Sequence, residues 1–216
     1  MVDWKLDGAQ ILSRMEPMLG QTWDMKTALV QMKDEGSNQW RQSEWQGFYL
    51  EHLLFRDGGA EFKKGPTYGN VGFDLQRLCV WDLKVHVAKK NIVPLNDQEA
   101  ILACLKDHHF LGWIILEGAA TYADSSLKVW HSTFKGKETD YVKQRKARGA
   151  SSRLLKATFT PTKITCFGLE GRSSLERALK EGWLTEFQRG MRNSNGVGRR
   201  PKYKAHLNKI PDWASL

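Results

Sequence analysis

Along the first third of the chain, apolar residues recur at helical spacing. Ile11, Leu12, Met15 and Leu19 fall roughly on one stripe behind Asp7, which is placed to cap the segment, and Pro17 is expected to end or kink it. A second helix is predicted over residues 22–33, closed by Gly36. The third, over residues 40–54, is the informative one. Trp45, Phe48, Tyr49, His52 and Leu53 follow one another at i, i+3, i+4, i+7 and i+8, while Glu44 and Glu51 lie on another face.

From residue 56 to 72 the pattern breaks. Gly58-Gly59, Gly65-Pro66 and Gly69-Asn70 punctuate a loop that carries Lys63 and Lys64. Two extended segments are predicted at 71–78 and 79–87, rich in β-branched and aromatic residues. A helix capped by Asn96 or Asp97 then runs to residue 107, and the apolar run 111–116 reads as a buried strand. Beyond residue 121 the periodicity weakens until an extended segment at 158–167. Ser173-Ser174-Leu175-Glu176 has the form of a capping box, opening a helix whose Leu175, Ala178, Leu179 and Phe187 would face a core. There is no internal repeat.

The order helix, strand, strand, helix, strand within 216 residues implies one α/β domain with a single sizeable core. With 41% hydrophobic and 26% charged residues the chain is of globular composition. The longest mostly apolar stretch, 110–116, is far shorter than the roughly 20 residues of a membrane helix. The N-terminus lacks the pattern of a signal peptide, so a cytoplasmic location is expected. Cys79, Cys104 and Cys166 are odd in number and widely spaced, which argues against a disulfide framework and a cysteine-built zinc site. His86, His108 and His109 match no zinc pattern either and read as core or capping groups.

Charge changes the picture more. Of the net +9, residues 1–100 contribute −2 (12 Lys/Arg against 14 Asp/Glu) and residues 101–216 contribute +11 (21 against 10). Residues 141–169 and 187–211 each hold seven Lys/Arg and no acid. Such density suits a polyanion, whose phosphates are neutralised with release of counterions. The plainer reading is a solvated basic face that serves solubility.

The candidate chemistry lies at residues 79–87. The two-residue period of a strand puts Cys79, Trp81, Leu83, Val85 and Val87 on one face and Asp82, Lys84 and His86 on the other. An acid and a lysine in the middle of an apolar strand are costly to bury unless paired or bound to an ion. Upstream, Asp74 in Gly72-Phe73-Asp74-Leu75 adds a second carboxylate. A structural ion pair between Lys84 and Asp82 or a neighbouring acid is the competing explanation.

Asp74 with Asp82-Leu83-Lys84 resembles the PD-(D/E)XK nuclease signature, in which an acid on one strand and acid-x-lysine on the next surround a metal ion. The resemblance covers residues 40–120. It implies a restriction-endonuclease-like core, a mixed central sheet flanked by helices, built from a helix, three strands, a helix and a further strand. Residues 1–39 would add N-terminal helices, and 121–216 a basic region that recognises DNA and completes the sheet. The function it implies is that of a prokaryotic type II restriction endonuclease, a homodimer cutting a short site in double-stranded DNA. Asp74 and Asp82 would hold Mg2+, Lys84 would orient or activate the attacking water, and Glu51, or in reserve Glu44, would supply the helix acid. A structure-specific nuclease and a non-catalytic DNA-binding protein are the alternatives. Loops of the form G-x-x-x-x-G-K-[ST], G-x-S-x-G and H-E-x-x-H are absent from the sequence.

The residues expected at DNA are Lys63 and Lys64, Arg145 and Arg148 in the basic run 143–153, and a C-terminal group. That group comprises Arg189, Arg192, Asn193, Asn195, Arg199, Arg200, Lys202 and Lys204. Arginine forks match guanine edges, Asn can pair with base edges, and Gly196 and Gly198 permit close backbone approach, so this polar segment is expected to enter or flank a groove.

Overall fold

The structure is a computed structural model that describes residues 3–66, 72–88, 91–123, 125–136, 143, 147, 149, 154–193 and 196–211. Helix α1 (Trp4–Met15) begins earlier than expected. Its cap is Asp3, whose carboxylate accepts from the backbone N–H of Lys5 at 2.9 Å and of Leu6 at 3.2 Å. Asp7 lies inside the helix and is fully buried, for a reason that emerges at the candidate site. Pro17 falls in a short 3-10 turn (Glu16–Met18) that ends the helix. Helix α2 (Met25–Asp34) is capped by Asp24, and α3 (Trp45–Gly58) buries Trp45, Tyr49 and Leu53 along the expected stripe.

The remaining helices are α4 (Gln98–His108), α5 (Ser125–Lys135) and α6 (Gly171–Glu181). The strands are β1 (Trp23–Asp24), β2 (Lys63–Lys64), β3 (Leu75–Gln76), β4 (Val80–Val87), β5 (Ile92–Asp97), β6 (Phe110–Tyr122), β7 (Lys156–Glu170), β8 (Leu184–Phe187) and β9 (Lys202–His206). Six of them form a mixed sheet in the order β1-β7-β6-β4-β3-β2. Strands β4 and β6 run parallel and the other neighbours antiparallel, with α4 in the connection between the parallel pair. The chain is thus α/β with a mixed sheet flanked by helices. A second antiparallel sheet has the order β5-β9-β8.

Each face of the large sheet has its own core. Trp81 and Leu83 of β4, Ile114 and Leu116 of β6 and Phe159 of β7 pack under α1, α2 and α3. Val80, Trp113, Ile115 and Phe167 face the other way, onto α4, α6 and the small sheet. Alternation places Asp82 and Lys84 on this second face, beside Val80. Strand β4 is gripped through Trp81. A Cβ at Gly8 of α1 would come within 2.9 Å of its ring, and one at Gly112 of β6 within 2.2 Å, so both neighbours must be glycine for the indole to fit between them.

Helix α4 follows Asp97 as expected, and Pro94 before it lies in β5, an edge strand of the small sheet where a missing N–H is tolerated. Two expectations are corrected. First, the capping box at 173–176 does not form. Strand β7 continues to Glu170, the chain turns at Gly171 with φ +64°, and α6 starts there, leaving Ser174 inside the first turn with its hydroxyl donating to the Gly171 carbonyl. Second, Phe187 belongs to β8 and not to that helix.

Among the described residues, no helix is long and apolar enough to cross a membrane. Helix α5 buries His131 with its Nε2 lacking a hydrogen-bond partner among these residues. Burial, aided by Lys135, pulls its pKa down to about 4 from 6.5. The folded chain holds this ring neutral while the unfolded chain protonates it near 6.5, so its contribution is complete above that pH and lost as the pH falls toward 4. Between pH 7 and 4.5 the loss is about 2 kcal/mol. Denaturant titrations at both pH values should show this loss, and His131→Leu should remove it; an equal loss in both proteins would contradict the assignment.

Candidate active site

The site is organised by the reversal between β3 and β4. Leu75 pairs with Trp81 and Gln76 with Val80, and the Asp74 N–H donates to the Trp81 carbonyl at 2.9 Å. The ladder ends there, and Asp74 is kept against β4 by that bond and by its own carboxylate, which accepts from the Leu83 N–H, within electrostatic reach of Asp82. The reversal is tight: the Arg77 N–H donates to the Cys79 carbonyl, and Leu78 is exposed at the tip. It contains neither Gly nor Asn.

Its shape comes from α1 instead. Asp7 Oδ2 accepts from the Cys79 N–H at 3.0 Å and from the Trp81 indole at 2.9 Å, and Oδ1 accepts from the Arg77 guanidinium. Arg77 also donates to Glu61 at 2.7 Å. A buried carboxylate with three donors is well satisfied, and it fixes the hairpin from which both acids project.

Within the site, Asp74 Oδ2 accepts from the Leu83 N–H at 2.9 Å. Burial, then the neighbouring Asp82 and, more weakly, Glu51 push the Asp74 carboxyl up to about 7, against the pull of Lys84 and of the Leu83 N–H. Asp82 is buried, and its Oδ1 accepts from Asn96 Nδ2 at 2.6 Å. Its Oδ2 is in direct contact with the Lys84 ammonium and with no other donor among the described residues. Desolvation works against the charge on Lys84, but Asp82 and Asp74 outweigh it and raise the lysine pKa. Glu51 of α3, whose helix covers the opposite face of the sheet, reaches this group only as a weak charge on Asp74; burial raises its own pKa, and Lys64 opposes the rise. Glu44 stands apart at the N-terminus of α3, exposed, 3.9 Å from the Lys156 ammonium.

No three His, Cys, Asp or Glu among the described residues converge as a ready metal cluster. The donor set present is two neighbouring carboxylates, one ion-paired through a buried oxygen with Lys84 and the other with a raised proton affinity. Mg2+ takes one or two carboxylates and fills its other positions with water and phosphate, and a cation beside them would favour the charged form of both. The residues therefore fit such an ion.

The basic residues fall into two regions. Lys63 and Lys64 are exposed on β2, where Gly65 N–H donates to the Asp74 carbonyl, and Lys64 lies 4.9 Å over the Phe55 ring. Arg145, Arg148 and Asn195 lie outside the described residues. The C-terminal stretch is folded. Met191 and Arg199 close a hairpin with a bridge between Arg192 and Gly198, and β9 follows. Arg189 pairs with Glu186, Asn193 Oδ1 accepts from Arg199, and Arg200 and Lys202 both approach Asp97. Lys204 stands 6.0 Å from the Phe187 ring. Of these, Asp97, Asn193, Arg199, Arg200 and Lys202 line a shallow groove with Gln188 and Val197.

Asn96, like Asp7, is a residue of the site that the sequence presents only as a candidate helix cap. The available signal was an amide closing an apolar strand-like run, Ile92-Val93-Pro94-Leu95, where a buried polar group needs a partner. No protein-family model, curated protein or solved structure matches the chain.

Proposed function

We propose that the chain is a Mg2+-dependent endonuclease of the PD-(D/E)XK type acting on double-stranded DNA, in the manner of a type II restriction endonuclease. The observation that carries the reading is the cluster at the start of β4, where Asp74, bonded through its carboxylate to the Leu83 N–H, feels the charges of Asp82 and Lys84, themselves an ion pair, and more weakly that of Glu51. Within the large sheet the element order supports it: α3, the antiparallel β2, β3 and β4, then, after β5 of the small sheet, α4 and β6 parallel to β4. This is the helix, three strands, helix and strand that the motif resemblance implies for a restriction-endonuclease-like core.

Asp74 and Asp82 would hold the ion, which when bound polarises the scissile phosphate and offsets charge in the in-line displacement. Lys84, kept as an ammonium by the two acids, acts as cation and hydrogen-bond donor toward the attacking water and the phosphate. Glu51 holds a further water at the centre. The basic hairpin and β2 contact the duplex. Cutting both strands of a short site calls for a second copy of the chain.

Purified protein with plasmid DNA should give discrete fragments in Mg2+ and none in EDTA. A smear, or no cutting with any divalent ion, would count against the reading. Glu51→Ala should lower the cleavage rate by about 10–100-fold, as loss of an outer partner of a metal site does. Glu44→Ala should leave the rate near that of the unaltered protein, and the reverse ranking in a time course would transfer the role to Glu44.

A further inference from the structure

We infer that Asn96 is a positioning residue for the candidate metal centre, fixing the Asp82 carboxylate so that Oδ2 is the oxygen offered to the ion. The inference rests on the nuclease reading and adds to it a residue that the motif does not contain.

The amide of Asn96 is fully committed. Nδ2 donates to Asp82 Oδ1 at 2.6 Å and to the Gly72 carbonyl at 3.2 Å, which uses both of its hydrogens. Oδ1 accepts from the Trp113 indole at 3.3 Å, which fixes the orientation of the amide. One side chain thus ties β4, β6 and the segment leading into Asp74. Because Oδ1 of Asp82 is held by the amide, the oxygen that faces the site is Oδ2, in contact with the Lys84 ammonium alone among the described residues.

Strand β5 delivers this side chain through an irregularity. Its register with β9 slips between Pro94 and Asp97, so Leu95 and Asn96 leave the ladder and turn inward, both buried. Bulges of this kind re-aim side chains beside active sites. Pairing resumes at Asp97, whose carboxylate is held by Lys202 at 3.2 Å and Arg200 at 3.4 Å. Asn96 is therefore anchored on its C-terminal side by the same basic segment expected to meet DNA.

A purely structural role would cost stability and leave the affinity of folded protein for the ion unchanged. A positioning role weakens ion binding itself. The test uses the full chain with Asn96→Leu, which keeps the volume and removes the hydrogen bonds, and Asn96→Ser, which is smaller and polar and is read if the leucine variant fails to fold. Mn2+ affinity is measured from the electron paramagnetic resonance signal of the free ion, DNA affinity in EDTA, and cleavage in Mg2+. The expected result is Mn2+ binding weakened by about 10–100-fold with DNA affinity retained and cleavage reduced. Unchanged Mn2+ affinity in a folded variant, while the unaltered protein binds Mn2+ and cuts DNA, overturns the role of Asn96 alone. An unaltered protein that neither binds Mn2+ nor cuts DNA overturns the nuclease reading and this inference together.

Discussion

Asp7→Ala lowers the unfolding free energy by about 3–5 kcal/mol, the usual cost of removing one partner from a buried charged network. The substitution takes away the acceptor for the Cys79 N–H, the Trp81 indole and one end of Arg77, all at the β3–β4 reversal. For a chain of this size each kcal/mol corresponds to roughly 2–4 °C, so a fall in Tm of about 10 °C is expected by calorimetry. Asp7→Asn keeps an acceptor and should lose less. A loss below about 1 kcal/mol for the alanine variant would show that the hairpin is held by other contacts.

The second large effect is on activity. Asp82→Asn should reduce Mg2+-dependent cleavage by well over the roughly 100-fold that follows loss of an outer-sphere partner, because it neutralises a carboxylate that would contact the ion directly. The shape of the side chain is preserved, and affinity for DNA in EDTA should be retained, since the carboxylate is not a phosphate partner. Lys84→Ala should behave alike, with ion binding less affected than turnover. Near-normal cleavage by Asp82→Asn, followed on supercoiled plasmid, would remove the catalytic assignment.

The parts of this site that could be read in the sequence are those written within one element. The alternation from Cys79 to Val87 is a local property of a strand, and it correctly sets Asp82 and Lys84 together on one face, with Trp81 and Leu83 on the other. The helical stripe from Trp45 to Leu53 likewise fixes which side of α3 is buried. Contacts between distant residues left no such trace. The reversal at Arg77 to Cys79 lacks turn-forming residues because its donors are satisfied by Asp7, seventy or more positions away, and Asp7 looked like a helix cap because a cap and a buried anchor share the same residue type. Asn96 was read as a cap for the same reason.

The small sheet was illegible on other grounds. Strand β5 has only a short apolar run, interrupted by a proline and followed by a bulge, and β9 alternates lysines with Tyr203 and Ala205, so neither stands out as a strand. In β9 the pattern KYKAH reads as part of a basic tail, yet Tyr203 and Ala205 are buried in the second core while the lysines face outward. A stretch rich in cations thus serves packing on one face and keeps its charge on the other.

The most direct measurement is anomalous diffraction from crystals of the unaltered protein soaked in Mn2+. The account predicts a peak at bonding distance from carboxylate oxygens of both Asp74 and Asp82, with Lys84 displaced from Asp82 Oδ2. Mn2+ bound elsewhere, or Asp82 still paired with Lys84 at saturating Mn2+, would contradict it and leave the two residues as a structural ion pair.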